Sequence, residues 1–226
     1  MNLGSRMVLR FTIGLILVAA LLFIPAGTLS YWQGWCYLAL FFVPGLTGSL
    51  YLWKRDPQLL ARRLRSEEKI REQKQLMNVL KPLFFLAFLI PGLDYRFGWS
   101  RTYLGRVPLW LIVVCQAIFL SGLLLTLWVM KVNSFASRTI QVEAGQKVIS
   151  SGPYSLVRHP MYSGSLMMWL STPLALASYC AWPAFALLVP IYVFRLLNEE
   201  KILRRELPGY SEYCNATRYR LVPSVW

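Results

Sequence analysis

The chain has 226 residues, 56% of them hydrophobic and 15% charged, with a formal net charge of +14. Its apolar residues fall into uncharged blocks too long for a soluble core of this size, so the bilayer is the implied solvent. That excludes a soluble domain, and the placement of the basic residues removes the need for a nucleic-acid partner.

In chain order, Phe11 to Leu29 carries no charge and is read as the first span, since about 20 mostly apolar residues cross a hydrocarbon core of about 30 Å. Arg6 and Arg10 before it also fit the start of a signal peptide, but the stretch is long and no small-x-small cleavage site follows. Tyr31 to Trp53 is a second uncharged span. Lys54 to Lys81 mixes Arg62, Arg63, Arg65, Lys69, Arg71 and Lys74 with Glu67, Glu68 and Glu72, and reads as a polar, helical, basic loop over 54–81. Its solvated, orienting reading outweighs a role as headgroup contact or cover. Pro82 to Trp99 is a third span interrupted by Asp94 and Arg96, so one edge is expected to be buried in protein. Val107 to Met130 is the fourth.

Residues 131–151 are mixed and polar, an ordered connector that ends in the turn Gly152-Pro153-Tyr154. Pro160 to Phe194 then runs 35 residues without a charge, about 52 Å as a single helix. That is too long for one crossing, and Ser178 to Pro183 supplies a turn with interfacial aromatics. The expectation is an all-α, polytopic transmembrane protein of six spans, or five if one arm of this C-terminal helical hairpin stops short. Residues 1–130 form a four-span region, and 131–226 form the connector, hairpin and tail.

With both termini on one side, the basic residues are lopsided. Residues 1–10 hold 2, 54–81 hold 9, 131–160 hold 4 and 195–226 hold 6, which leaves only Arg96, Arg101 and Arg106 for the other face. Cytoplasmic loops are enriched in Lys and Arg, so the richer face, with both termini, is expected in the cytoplasm. Cys36, Cys115, Cys180 and Cys214 are scattered without metal-ligand spacing and read as small buried hydrophobes.

Chemistry-bearing residues gather in two collars around the hairpin. Arg158 and His159, the sole histidine, precede Pro160, with Tyr162 and Gly164 following. Proline suits a helix start, and the first-turn N–H groups it leaves open offer a place for an anion such as a carboxylate. Arg195 and Glu199, four residues apart, share a helix face, while Glu200 and Lys201 turn to neighbouring faces. Tyr210, Tyr213, Arg218, Tyr219 and Arg220 either fold back as an aromatic and basic cover or bind headgroups. A lone histidine and a boundary charge pair each have bland readings, as a structural group and as an interfacial anchor.

Taken in order and spacing, Gly152-Pro153-Tyr154, Arg158 to Gly164, Arg195 with Glu199-Glu200, and Tyr210 and Tyr213 before Pro223 resemble the isoprenylcysteine carboxyl methyltransferase family. The wider superfamily includes phospholipid N-methyltransferases and, more distantly, membrane sterol reductases. The resemblance covers residues 131–226. It implies S-adenosyl-L-methionine as cofactor, bound by Gln146, Lys147, Val148, Ile149, Tyr154, His159, Pro160, Met161, Tyr162 and Glu199, the first four through backbone groups. It implies Arg195 as the residue orienting an acceptor carboxylate, with Arg158, Glu200, Tyr210 and Tyr213 as secondary candidates and no metal.

The expected function is methyl transfer, carboxyl O-methylation above all, to a lipid-borne or prenylated small-molecule or protein acceptor drawn from the bilayer. An ionised carboxylate needs no general base, whereas an ammonium must first lose a proton, to Glu200 or His159. Arg195 beside the acceptor favours the carboxylate. The chain's compact length fits a bacterial inner (plasma) membrane. Phospholipid N-methylation, an NADPH-dependent membrane reductase and a non-enzymatic transporter or assembly factor are the alternatives.

Overall fold

Within hydrocarbon no water satisfies the backbone, so each apolar block must close its own hydrogen bonds, and a helix does this within one segment. A computed structural model of the protein describes residues 2–65, 71–137, 139 and 141–226, with backbone alone for Arg71 and Glu72. Glu67, Glu68 and Lys69 of the basic loop lie outside the described residues.

Helix α1 (Leu3–Ala26) begins where Asn2 accepts the Ser5 N–H at 2.8 Å and ends at Gly27, whose φ of 67° is the left-handed conformation that glycine takes at little cost. Helix α2 (Trp32–Arg55) leads through Asp56, which caps the Leu59 N–H, into the short α3 (Pro57–Arg63). Then come α4 (Arg71–Phe97), α5 (Trp99–Tyr103) and α6 (Leu109–Val132). An irregular connector and a single 3-10 turn at Gly152–Ser155 precede α7 (Pro160–Ala175), α8 (Trp182–Ala186), α9 (Leu188–Glu206) and α10 (Tyr210–Ala216). The described residues contain no strand.

Four helices are long and apolar enough to cross a membrane: Leu3–Ala26, Trp32–Arg55, Gln73–Phe97 and Leu109–Val132. The fold is therefore the expected helical, polytopic one. The hairpin is present too, but its arms are shorter. The 16 residues of α7 reach about 24 Å, and the returning arm is divided at Leu187 into α8 and α9.

Helices meet in the cyclic order α1, α2, α6, α7, α9, α4. Glycine sets the closest crossings. A Cβ on Gly122 of α6 would stand 2.5 Å from the Gly164 carbonyl oxygen of α7, and one on Gly164 would stand 2.6 Å from that of Gly122. A Cβ on Gly92 of α4 would lie 2.4 Å from the Leu22 oxygen of α1. Between apolar helices in lipid, such backbone contact supplies the packing that the hydrophobic effect cannot.

At one end of the bundle the core is closed by Leu22, Phe88, Phe119, Phe185 and Leu188, and capped by Asp94. Asp94 is 4% exposed and accepts the Ser100 N–H at 2.7 Å and the hydroxyls of Ser100 and Ser178. Of the two charges that interrupt the third apolar block, Asp94 is thus buried in protein, while Arg96 is exposed. The basic segments converge on the other end, where Arg62 donates to the Ser134 carbonyl at 2.7 Å, Arg63 to that of Ala136 at 3.1 Å, and Arg65 meets Glu143 at 3.4 Å.

Candidate functional site

At the basic end, the chain approaches α7 through a turn that needs glycine. Gly152 has φ of 60°, and a Cβ there would sit 3.2 Å from the Val132 side chain. The turn presents Tyr154, whose hydroxyl accepts from Asn133 Nδ2 at 2.8 Å. Burial raises the Tyr154 phenol to about 12, against the lowering effect of the Asn133 bond; Glu199 raises it further and Arg63 lowers it. Both charged groups therefore act on the same patch.

The C-terminal tail folds back over this approach. The N–H groups of Arg158 and His159 donate to the carbonyls of Tyr219 (2.8 Å) and Arg220 (2.9 Å), and Ser163 Oγ donates to that of Leu221 (2.6 Å). The His159 carbonyl takes the N–H groups of Tyr162 and Ser163. The start of α7 is thus occupied largely by the chain itself, which corrects the expectation of open N–H groups awaiting an anion. The tail is a cover, one of the two arrangements the sequence allowed.

Beneath the cover lies a closed polar knot. Glu200, 4% exposed, is met by Arg158 Nη1 at 3.1 Å, His159 Nε2 at 3.3 Å and Arg220 Nε at 3.1 Å. His159 Nε2 is also 3.4 Å from the Tyr210 hydroxyl. Burial by itself raises the Glu200 carboxyl, but hydrogen bonds from His159 and Arg220 and the charges of His159 and Arg158 outweigh it and bring the pKa down to about 2. The Tyr213 hydroxyl donates to the Tyr154 carbonyl at 2.7 Å, tying α10 to the turn.

The neighbouring carboxylate is disposed differently. Glu199 Oε2 accepts the Tyr162 hydroxyl at 2.6 Å, and Arg195, one turn earlier on α9, interacts with the same hydroxyl. Arg195 Nη1 also reaches Met77 Sδ of α4 at 3.4 Å. Tyr162, Glu199 and Arg195 all line one cavity of about 800 Å³, within the range of ligand pockets.

Of the residues singled out from the sequence, Gln146, Lys147, Val148, Ile149, Tyr154, His159, Pro160, Met161, Tyr162, Arg195 and Glu199 line this cavity, as do Arg158, Tyr210 and Tyr213. Glu200 does not; it belongs to the knot behind the wall. Gln146 turns its side chain to the Glu143 N–H at 2.9 Å, and Lys147 to Ile149 have no main-chain hydrogen bond to another described residue. Sequence reasoning missed Arg63, Met77, Lys81 and Asn133, which also line it. Arg63 was one cation among many in its loop, and nothing local marked it. The lone Asn133 directly after a 24-residue apolar helix was a usable signal.

The lining of the cavity changes in character along the bundle. Its polar part comes from the connector, the collars and α10, and its apolar part from the membrane-embedded helices, with Phe11, Gly14, Phe41, Phe42, Gly45 and Trp169 among its walls. The basic residues on its lining are Arg10, Arg63, Lys81, Lys147, Arg158 and Arg195, and Glu199 is its one carboxylate among the described residues.

Residues 110–208 match the phospholipid methyltransferase family. A delta(14)-sterol reductase of Mus musculus is 32% identical over 94 residues, which is 39% of this chain. The chain spans only 22% of the length of that curated relative.

Proposed function

We propose, from the match of residues 110–208 to the phospholipid methyltransferase family, a family of membrane methyltransferases, that this protein is an S-adenosylmethionine-dependent enzyme that esterifies a carboxylate on a bilayer-borne acceptor. The observation that carries the proposal is one cavity whose lining joins a polar part, with Glu199 as its one carboxylate among the described residues beside several cations, to an apolar part between the spanning helices.

The polar half fits the cofactor chemically. Glu199 offers a carboxylate to its ammonium, Tyr154, Tyr210 and Tyr213 offer aromatic faces, and the backbone groups of Lys147 to Ile149, unbonded to the main chain of other described residues, offer hydrogen bonds. The bound cofactor supplies a methyl group on a sulfonium, which leaves as a neutral thioether. Arg195 holds the acceptor carboxylate, already ionised near neutral pH, so that one oxygen takes the methyl group and no proton is released. The cations along the wall draw in an anionic head. Apolar surroundings favour a step in which opposite charges cancel.

The same inventory disfavours an amine acceptor. Glu200 sits behind the wall with its carboxyl at about 2, and the Tyr154 phenol is raised to about 12, so neither is poised to take a proton from an ammonium near neutral pH, while His159, the other base the sequence offered, has its Nε2 engaged by Glu200 at 3.3 Å. The convergence of basic segments on the cavity end supports a cytoplasmic orientation for the site.

Membranes containing the protein, incubated with methyl-labelled S-adenosylmethionine, should yield a lipid-extractable product whose label is released by mild base. A base-stable product would replace the ester with N-methylation. Absence of S-adenosylmethionine binding by folded protein in calorimetry would overturn the reading. The likeness to a sterol reductase favours one second reading, a nicotinamide-dependent reductase, which predicts thermal stabilisation by NADPH.

A further inference from the structure

The apolar part of the lining stops at nearly one depth on three walls. It descends from Tyr162 to Trp169 on α7, from Glu199 to Tyr192 on α9, and from Met77, which touches Arg195, to Phe84 on α4. Each run advances seven positions, about 10 Å along its helix, and Ile191 and Phe85, one position further on α9 and α4, complete the lining there. At that depth Trp169 Nε1 donates to the Tyr192 hydroxyl at 2.8 Å. Phe84 meets the indole edge-on, with ring centroids 4.8 Å apart, and Phe41 flanks it at 6.4 Å. Just beyond, Leu22, Phe88, Phe119, Thr172 and Leu188 are at most 2% exposed, and none of them faces the cavity.

We propose that Trp169 and Tyr192 form the floor of a tail pocket and set the length of apolar chain that an anionic acceptor can carry. This deepens the methyl-transfer reading, because the collar of Arg195 and Glu199 defines where the tail begins. An extended chain advances about 3.6 Å per three bonds, so the space accommodates roughly eight to ten bonds. Selection then works by exclusion. Lipid tails are as apolar as the pocket, so moving a methylene between them gains little. A tail longer than the space must bend out of its staggered conformations or displace the indole. The Trp169 N–H needs its partner in apolar surroundings, and that bond holds the ring across the floor.

The test uses the full chain in lipid nanodiscs and a series of straight-chain alkyl carboxylates from hexyl to hexadecyl, each with a diazirine at the tail end. After irradiation, peptide mapping locates the tail, and parallel incubations with labelled S-adenosylmethionine measure transfer to the same compounds. Octyl and decyl tips are expected on Trp169, Tyr192 or Phe84. Transfer is expected to be level through decyl and to fall about tenfold or more at hexadecyl, the scale of an overpacked core. In Trp169→Ala the hexadecyl compound should regain most of that loss. Trp169→Phe, which keeps an aromatic ring but no N–H, and Tyr192→Phe should regain part of it, and both guard against a failure of the alanine variant to fold.

Tips that label the lipid-facing Ile13 or Leu86 at every length would overturn the floor, as would a cut-off unmoved in all three variants. Floor labelling without any transfer would instead sink the methyl-transfer reading and leave the pocket standing.

Discussion

At the end of the bundle away from the cavity, Asp94 is buried and satisfied by neutral donors, the Ser100 N–H and the hydroxyls of Ser100 and Ser178. At the cavity end Glu200 is equally buried but is surrounded by Arg158, His159 and Arg220, while Glu199 beside it is left on the cavity wall. Neutral donors close one end with no charge to spare. At the other end cations neutralise one carboxylate and hold the scaffold on which its neighbour stays available. Burial of a charge therefore does not by itself mark a site; what distinguishes the two ends is whether a charged group remains facing open space.

The sharpest way to break this contrast is Glu200→Ala, which strands Arg158, itself 6% exposed, and should cost roughly 3–5 kcal/mol of stability. A melting temperature close to the parent's would show that the knot is dispensable. Glu200→Gln sharpens the same point through pH. The folded carboxyl is held at about 2, below the ordinary carboxylate value of about 4.3, so its stabilisation is complete above the latter and is lost as pH falls toward the former. Melting temperature followed against pH should lose this acid limb in the variant.

Glu199→Gln should instead leave melting nearly unchanged and weaken S-adenosylmethionine binding by about ten- to a hundredfold, the loss of one charge-assisted hydrogen bond. Calorimetry decides it, and equal damage to fold and binding would erase the distinction between the two glutamates. Asp94→Ala leaves the Ser100 N–H and the Ser178 hydroxyl without their acceptor and should destabilise by about 1–3 kcal/mol while cofactor affinity stays at the parent value. The smallest effect is expected for Tyr154→Phe, which removes the 2.8 Å bond from Asn133 at a cost of about 1 kcal/mol.

Much of this was legible beforehand, and the limits have particular causes. The four long helices follow from uncharged length. The two collars meet because the hairpin turns at residues 176–181, between α7 and α8, so that Tyr162 touches Glu199. That Glu199 rather than Glu200 shares a face with Arg195 was legible from their spacing, but that this face turns to the cavity was not. Adjacent helical residues point about 100° apart, and the rotation of α9 is chosen by the burial of Leu188 and Leu196, both 0% exposed. Nor was the contribution of α1 to α4 to the cavity, since Phe11, Met77, Lys81 and Phe84 look like any other residues of an apolar or basic segment.

The sequence by itself determined the solvent, the helical class, the sidedness of charge and the order of the collars, because hydrocarbon thickness and charge asymmetry act along one dimension. Only the tertiary structure decided that His159 serves the Glu200 knot, that the tail seals the start of α7, and that the apolar lining of the cavity stops near Trp169. Those outcomes depend on how helices rotate and how closely glycine lets them approach, and a linear pattern does not contain either.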